Sequence, residues 1–181
     1  MNADLIQSTL TNILDALHLQ CSKIDVHQEE ELTRVDITSD DPSRIIGWHG
    51  ETLNALQHLV KAIVRTQEKL DRAPFIVLDV DGYRRAQEDK VRRIAEQKAD
   101  FVRRTGSRVA LAPMSPYFRR IVHLHISSSP ELQDLTTEST GEGDYRQIVL
   151  RLKEEKGRTN DEGELSPVIE AQDDGLENLD I

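Results

Sequence analysis

Two short segments of the sequence combine residue types that could bind a sugar-phosphate chain. The first is Gly47-Trp48-His49-Gly50, which directly precedes an amphipathic helical pattern. Two glycines at this spacing let a backbone approach closely, because glycine has no Cβ and tolerates positive φ. The N-terminus of the following helix offers free N–H donors and a positive dipole end to a phosphate. A lone Gly-x-x-Gly pair is common in turns, so the prediction depends on its place between Ile45-Ile46 and the helix.

The second segment is Arg119-Arg120-Ile121-Val122-His123. On a helix, Arg119 and His123 lie one turn apart on the same face. A guanidinium binds phosphate through two hydrogen bonds, and a neighbouring imidazole can bind phosphate or stack on a base. We therefore predict nucleic-acid contacts from Arg119, Arg120 and His123, and from Arg146 at the start of the last strand. The alternative is an ordinary solvated charged face.

The residues between the two glycines leave two questions open. Trp48 is the one tryptophan of the chain, and the pattern of core positions does not require it. Its ring either folds back onto its own domain or forms a platform on which a base stacks. His49 is mostly neutral at pH 7, so it adds little charge. Arg44 and Lys61 are the cations that could compensate.

The sequence lacks the usual patterns of catalysis and metal binding. It contains no P-loop, Gly-x-Ser-x-Gly or His-Glu-x-x-His motif. His123 and His125 are separated by about 200° on a helix and cannot share a metal. Cys21 has no His-Asp constellation beside it, which favours a small core residue over a nucleophile, and Asp40-Asp41 suits a turn and helix cap. We predict no enzymatic activity, no catalytic residue, no metal and no cofactor.

The charge of the chain is distributed in blocks. The 181 residues carry a formal net charge of −10, which by itself argues against binding a polyanion. Residues 1–81 hold 7 Lys+Arg against 14 Asp+Glu, residues 82–153 hold 14 against 9, and residues 154–181 hold 2 against 10. The Arg119–His123 segment therefore lies in a basic block flanked by acidic ones.

Hydrophobic periodicity predicts a first unit built as helix, strand, strand, glycine loop, helix, strand. Apolar residues recur at steps of three and four from Leu5 to Leu17, after a cap at Asn2 or Asp4. Alternating runs around Ile24 and Val35 predict a hairpin, a second helix follows Gly50, and Phe75 to Val80 is typical of a buried strand.

The pattern from Gly82 predicts a second unit and a tail. A long helix reaches Thr105 and carries the pairs Arg84-Arg85, Arg92-Arg93 and Arg103-Arg104, which we expect to attract phosphate. A short strand over Val109–Met114 precedes a helix that begins at Ser115-Pro116. Two further strands flank the turn at Gly141–Asp144. Residues 154–181 show little periodicity, which predicts a disordered acidic tail.

The first unit resembles a KH domain of type II topology, with RIIGWHGETLNALQHLV as the matching core. The loop of such domains clamps about four nucleotides of single strand, and it commonly carries basic residues where this chain has Trp48 and His49. The second unit resembles an R-3-H domain. The features that carry this resemblance are Arg119 and His123, a strand that ends in LAPM, the Ser-Pro helix start and the hairpin TTESTGEGDYRQIVLRL. The expected fold is α+β with a KH domain over 1–81, an R-3-H domain with a short antiparallel sheet over 82–153, and the tail over 154–181.

A KH domain followed by an R-3-H domain resembles the arrangement of the bacterial Jag (KhpB) family. The resemblance implies a single-stranded RNA-binding protein, an RNA chaperone or post-transcriptional regulator linked to cell elongation and division, with a small single-KH protein as partner. Two alternatives remain: an adaptor that binds proteins through the acidic tail, and a binder of single-stranded DNA. The tail either competes with RNA for the basic domain or only adds solubility.

The same sequence gives an expectation about location. No apolar run approaches the roughly 18 residues of a membrane helix, and the first residues lack a basic-then-apolar signal pattern. We therefore expect a cytoplasmic protein without membrane insertion.

Overall fold

The computed structural model describes residues 2–29 and 32–153 and the backbone of residues 169–170. The chain divides into two units, of which the first ends at Ala86 and the second begins at Gln87. This division falls five residues after the predicted one, inside a helix that runs from Tyr83 to Thr105. Both units mix helices and strands, as an α+β fold requires.

The first unit follows the predicted order and adds one short helix before the glycine loop. Its elements are α1 (Ala3–Ala16), β1 (Lys23–Gln28), β2 (Thr33–Thr38), α2 (Pro42–Ile46), α3 (Glu51–Gln67) and β3 (Ile76–Val80). The strands form a mixed sheet in the order β1-β2-β3. β1 and β2 are antiparallel, with Ile24 opposite Ile37, whereas β2 and β3 are parallel.

The core of the first unit lies between one face of this sheet and the helices α1 and α3. Asn2 caps α1, since its side-chain oxygen accepts from the N–H groups of Asp4 and Leu5. Apolar residues at steps of three and four give each helix one buried stripe. The fully buried residues that meet there are Ile6, Leu10, Leu14, Val35, Ile37, Leu53, Leu56, Val60, Val64, Ile76, Leu78 and Val80. This packing holds both ends of the glycine loop.

The second unit is built on a small sheet and two helices. Its elements are α4 (Tyr83–Thr105), in which the division lies, β4 (Val109–Ala110), α5 (Pro116–Ser128), β5 (Leu135–Thr140), β6 (Gln147–Leu152) and β7 (Ile169–Glu170). The sheet order is β5-β6-β4-β7. β6 is antiparallel to both β5 and β4, and β7 is parallel to β4.

Helix α5 packs its apolar stripe against β5. Phe118, Val122 and Ile126, spaced by four residues, are buried, as are Leu135 and Leu150 of the sheet. Ser115 is the N-cap residue and Pro116 the first helical residue, as predicted, but the Ser115 hydroxyl makes no capping hydrogen bond. Arg119 and His123 lie beside this stripe, about 100° around the helix, and are half-buried.

Two predictions about the second unit need correction or lie outside the described residues. The predicted strand over Val109–Met114 is shorter, because Pro113 has no N–H to donate to a ladder. Beyond Ala110, the N–H groups of Leu111 and Met114 still donate to the oxygens of Ile148 and Arg146, at 2.8 and 3.2 Å. The predicted tail lies outside the described residues, except for residues 169–170, whose backbone forms β7.

Candidate nucleic-acid interface

The glycine loop of the first unit is a tight turn between α2 and α3. Gly47 has φ 73° and ψ −172°, and Trp48–Gly50 form a 3-10 turn in which His49 has φ 49° and ψ 21°. Gly50 has φ 88° and is the N-cap residue of α3. No side chain caps α3 among the described residues, and within the turn the Gly50 N–H donates to the oxygen of Gly47 at 3.5 Å.

The geometry explains why glycine stands at position 47. A φ of 73° with a ψ of −172° lies in a region that residues with a side chain hardly adopt. A Cβ at Gly47 would also lie 2.1 Å from Oγ1 and 3.0 Å from the backbone nitrogen of Thr52. Any larger residue would therefore push the loop away from the first turn of α3.

Trp48 lies at the surface of this turn. Its ring is 76% exposed, and its aromatic neighbour is the ring of His49, edge-on at 4.5 Å between centroids. The ring is not folded back onto the domain, which was one of the two interpretations. An exposed indole beside a glycine turn is suited to stacking on a base.

The two cations expected to support the loop occupy different places. Arg44 is exposed on α2 and lines a cleft together with His18, Asp40 and Asp41. The Lys61 ammonium lies 5.8 Å from the centre of the Phe75 ring. Burial, and then the charge of Arg84, lower the pKa of Lys61.

Lys61 is about 16 Å along α3 from Gly50, at 1.5 Å per residue. The structure therefore does not bring it to the loop, and its role in binding stays a prediction.

The first arginine pair of α4 serves the fold of the first unit. Arg84 is buried, and its guanidinium donates to the side-chain oxygen of Asn54 at 2.8 Å. Arg85 donates to both carboxylate oxygens of Asp36, at 2.8 and 2.6 Å, and lies 3.7 Å from the carboxylate of Asp79. The expectation that this pair attracts phosphate is therefore wrong for Arg84, and Arg85 is already bound to two carboxylates.

One member of each later pair is also held by carboxylates of its own unit. Arg92 binds Glu88 and Asp89, and Arg103 binds Asp134 and the backbone oxygen of Glu131. Arg93 and Arg104 are exposed and make no hydrogen bond or ion pair with the described residues. The free positive charge on α4 is thus smaller than the sequence suggests.

Arg119 and His123 lie one turn apart on α5, as predicted. The Arg119 guanidinium donates to the backbone oxygen of Met114 at 2.7 Å. Nδ1 of His123 lies 2.5 Å from Oγ1 of Thr137 on β5. Burial, and then the charge of Arg119, lower the pKa of His123, so its imidazole is neutral at pH 7.

Arg146 belongs to the same surface. It follows the β5–β6 turn, and its Nε donates to Oγ of Ser139 on β5 at 3.0 Å. Burial, and then the charge of Arg146, lower the pKa of Arg119, because the two guanidinium groups repel each other. The partners of Arg119, His123 and Arg146 among the described residues are a carbonyl and two hydroxyls, so no described carboxylate pairs with these three side chains.

Arg120 is exposed on α5 next to this group. His125 contacts Glu96 at 2.8 Å, whereas His123 contacts Thr137, so the two histidines face different partners as their spacing implies. Across residues 2–29 and 32–153, no three His, Cys, Asp or Glu side chains are arranged to hold a metal ion. Nor does any helix in this part of the chain have the length and apolarity to cross a membrane.

Four residues of this surface were not identified from the sequence: Met114, Thr137, Ser139 and Tyr145. Thr137 and Ser139 alternate along β5 and so share one face of the sheet, which was the available signal. Tyr145 is 82% exposed at the end of a 3-10 turn over Gly143–Tyr145. An aromatic residue in a glycine-containing turn beside Arg146 could have been singled out from the sequence.

Two domain families match the chain. The model of the KhpA/KhpB KH domain matches residues 3–74, and the model of the R-3-H domain matches residues 89–152. The first match contains the glycine loop, and the second contains Arg119, His123 and Arg146. The chain therefore has a KH domain followed by an R-3-H domain, as its motifs predict.

The chain is similar in sequence to curated proteins over stretches that are longer than either domain. The chain is 30% identical over 151 residues to the RNA-binding protein KhpB of Clostridium symbiosum, which covers 82% of this chain and 65% of that protein. It is 32% identical over 136 residues to the RNA-binding protein KhpB of Bacillus subtilis (strain 168), covering 73% and 62%. For the protein of the same name from Lactiplantibacillus plantarum, the identity is 33% over 109 residues, covering 60% and 32%. The chain thus spans less than two thirds of the length of these relatives.

Proposed function

The chain belongs to the Jag (KhpB) family, and we propose that it is a single-stranded RNA-binding protein. The observation that carries the proposal is the surface of Arg119, His123 and Arg146, whose described partners are all uncharged. Guanidinium groups without a carboxylate partner are available to phosphate. The names of the relatives, RNA-binding protein KhpB, support RNA as the ligand.

The two domains contribute differently to the proposed binding. In the KH domain, the Gly47–Gly50 turn would let the sugar-phosphate chain approach the protein backbone closely, with Trp48 exposed for stacking. In the R-3-H domain, Arg119 and Arg146 would bind phosphate, and His123 would donate or accept a hydrogen bond. Contacts to phosphate fix position and contacts to bases give sequence preference.

The proposal predicts affinity that falls with salt. Phosphate contacts release counterions, and a single-stranded complex changes by about 0.7 in the slope of log affinity against log salt for each phosphate contacted. We expect Arg119→Ala to lower the affinity for a fluorescein-labelled single-stranded RNA by about tenfold and to reduce this slope by about 0.7. Fluorescence anisotropy titrations at several salt concentrations measure both quantities.

Arg92→Ala is the matched control, because it removes the same charge from an arginine of α4 in the same domain that already binds Glu88 and Asp89. It should change the affinity by less than about twofold. A wild-type affinity that does not depend on salt would contradict the proposal. Equal losses in the two variants would assign the effect to net charge and reject the site.

We propose that the protein binds RNA without cleaving it, which distinguishes it from an enzyme that acts on RNA. The two matched domains are of nucleic-acid-binding type, and incubation of the protein with labelled RNA and divalent metal ions should leave the RNA intact. Cleavage that a single carboxylate substitution abolishes would reject this. A parallel titration with single-stranded DNA of the same base sequence tests the preference for RNA, since only RNA carries the 2′-hydroxyl.

We further propose the roles that family membership implies: an RNA chaperone or regulator linked to cell elongation and division, acting in the cytoplasm with a small single-KH protein. Crosslinking in cells, followed by sequencing of the bound nucleic acid, tests the regulator against the adaptor. An adaptor that acts through the acidic tail should recover little RNA. Recovery of defined transcripts would support the regulator.

A further inference from the structure

Tyr145 is an exposed aromatic residue that the fold does not use. Its side chain is 82% exposed, and within residues 2–29 and 32–153 its phenol makes no hydrogen bond and its ring no aromatic contact. Large aromatic side chains at a surface are enriched where they contact a ligand or partner. The core of the second unit lies elsewhere, around Phe118 and Leu150.

The turn that carries Tyr145 has a defined backbone. Gly141 and Gly143 have φ of 88° and 54°. The Tyr145 N–H donates to the oxygen of Glu142 at 3.2 Å, and the Arg146 N–H donates to the oxygen of Gly143 at 3.3 Å. A Cβ at Gly141 would lie 2.7 Å from the oxygen of Tyr145. The turn is therefore closed directly over the Tyr145 backbone, which fixes the point on the surface from which the side chain extends.

This position is joined to Arg119 through a single residue. The Met114 N–H donates to the oxygen of Arg146 at 3.2 Å, and the oxygen of Met114 accepts from Nη1 of Arg119 at 2.7 Å. The Arg119 guanidinium thus lies on the order of 9 Å from the backbone that follows Tyr145, summing these distances across one residue. Tyr145 is the residue directly before this backbone group, so its side chain starts from the same part of the surface as the Arg119 guanidinium.

We propose that Tyr145 stacks on one base of the strand whose phosphates bind Arg119 and Arg146. The inference rests on the proposed function and extends it, because it gives the R-3-H surface a contact with bases as well as phosphates. Every base has a flat π-face, so the contact tolerates many sequences. A phenol ring loses little conformational freedom on stacking, since it has only two side-chain torsions.

The test uses the full chain and the labelled single-stranded RNA described above. Tyr145→Leu should lower the affinity by about tenfold, whereas Tyr145→Phe should retain it within about twofold, because stacking needs the ring and not the hydroxyl. The salt slope of Tyr145→Leu should equal that of the wild type, since stacking releases no counterions. Leu124→Ala is the control, a substitution of another exposed apolar residue of the same unit.

A spectroscopic measurement reports the contact directly. In a chain carrying Trp48→Phe and Tyr145→Trp, the one indole stands at position 145, and RNA should quench its fluorescence on binding. Unchanged affinity in Tyr145→Leu together with unquenched fluorescence at position 145 would overturn the inference, because the ring would then not contact RNA. If Arg119→Ala still weakens binding in that case, the proposed function stands alone. If Arg119→Ala also binds like the wild type, both fail.

Discussion

The described arginines include two kinds: those bound to carboxylates, which occur in both domains, and those of the Arg119–Arg146 surface in the R-3-H domain. In the KH domain, Arg85 binds both oxygens of Asp36, and Arg34 binds Glu29 at 2.9 Å. In the R-3-H domain, Arg119 and Arg146 bind a carbonyl and a hydroxyl and repel each other. A guanidinium bound to a carboxylate contributes little attraction for phosphate, so counting arginines along the chain overestimates the charge available to RNA. In the proposed function, the KH domain contributes the backbone shape of its glycine loop, and the R-3-H domain contributes the charges of Arg119 and Arg146.

The carboxylates that bind cations in the KH domain are brought together by the register of its strands. Asp25, Asp36 and Asp79 stand side by side on β1, β2 and β3, where like charges repel across the strands. Arg85 relieves this repulsion by contacting Asp36 and Asp79, and Lys23 contacts Asp25 at 2.8 Å. These cations are bound to carboxylates of the sheet, so they add little to the charge near the glycine loop.

The largest expected effect comes from changing the shape of the KH loop. Gly47→Ala adds a Cβ that would overlap Thr52, in a backbone region that costs a residue with a side chain about 1–3 kcal/mol. We expect a lower melting temperature and a loss of RNA affinity of about tenfold or more, with the salt slope unchanged because no cation is removed. Thermal unfolding and anisotropy titrations measure these quantities.

Gly82→Ala is the matched control for that substitution. Gly82 also has positive φ, at 79°, but a Cβ there meets no atom within 4 Å among the described residues. It should share the backbone strain without the clash, and it should bind RNA like the wild type. Equal RNA affinities in Gly47→Ala and the wild type would contradict the proposed role of the KH domain, because the conformation of its glycine loop would then not affect RNA binding.

A smaller effect is expected from the histidine of the R-3-H surface. The folded state lowers the pKa of His123 below its ordinary value of 6.5, so the unfolded chain binds the proton more tightly. The contribution of His123 to stability is therefore present above that value and is lost as pH falls through the lowered pKa. A bound phosphate favours the protonated ring, so RNA affinity should rise, by about threefold, from about pH 7 to about pH 5.5.

His123→Gln should remove most of this pH dependence, both of the unfolding free energy and of RNA affinity. His125→Gln serves as the control, since that ring contacts Glu96 instead of Thr137. Urea unfolding and anisotropy at each pH provide the two readouts. If His123→Gln and wild-type protein had the same pH slopes, His123 would have no electrostatic part in the R-3-H surface.

The smallest effect concerns the acidic residues of 154–181. If they compete with RNA for the R-3-H surface, replacing them by Asn and Gln should raise RNA affinity by about twofold to threefold at low salt and by nothing at high salt. Truncation after Lys153 is a less clean test, because it also removes β7, which pairs with β4. A full-length chain that keeps Ile169–Glu170 separates charge from strand pairing. Unchanged affinity at low salt would restrict these residues to solubility.

The order of elements was predictable because it depends on neighbours in sequence. The cap at Asn2, the helical spacing from Leu53 to Val64 and the Ser115-Pro116 start each act within one or two turns. The α+β fold, the hairpin of β1 and β2 and the placement of Arg119 beside His123 followed from such local patterns.

The charge state of the surface was not predictable, because it depends on contacts between distant residues. Arg85 and Asp36 are 49 positions apart, and Arg103 and Asp134 are 31 apart. Nothing local distinguishes these arginines from Arg119. The exposure of Trp48 also depends on whether residues distant in sequence pack against its ring. Hydrophobic periodicity does not report such packing.

The pairing of β7 with β4 has a consequence for contacts between molecules. An open strand edge presents N–H and C=O groups that can pair with a strand of another chain and start aggregation. β4 has β6 on one side, and β7 occupies its other side through Val109–Ile169 and Ala110–Glu170. Ile169 and Glu170 thus cover this edge of β4. A chain cleaved between β6 and β7 would leave the edge open to pairing with a strand of another molecule.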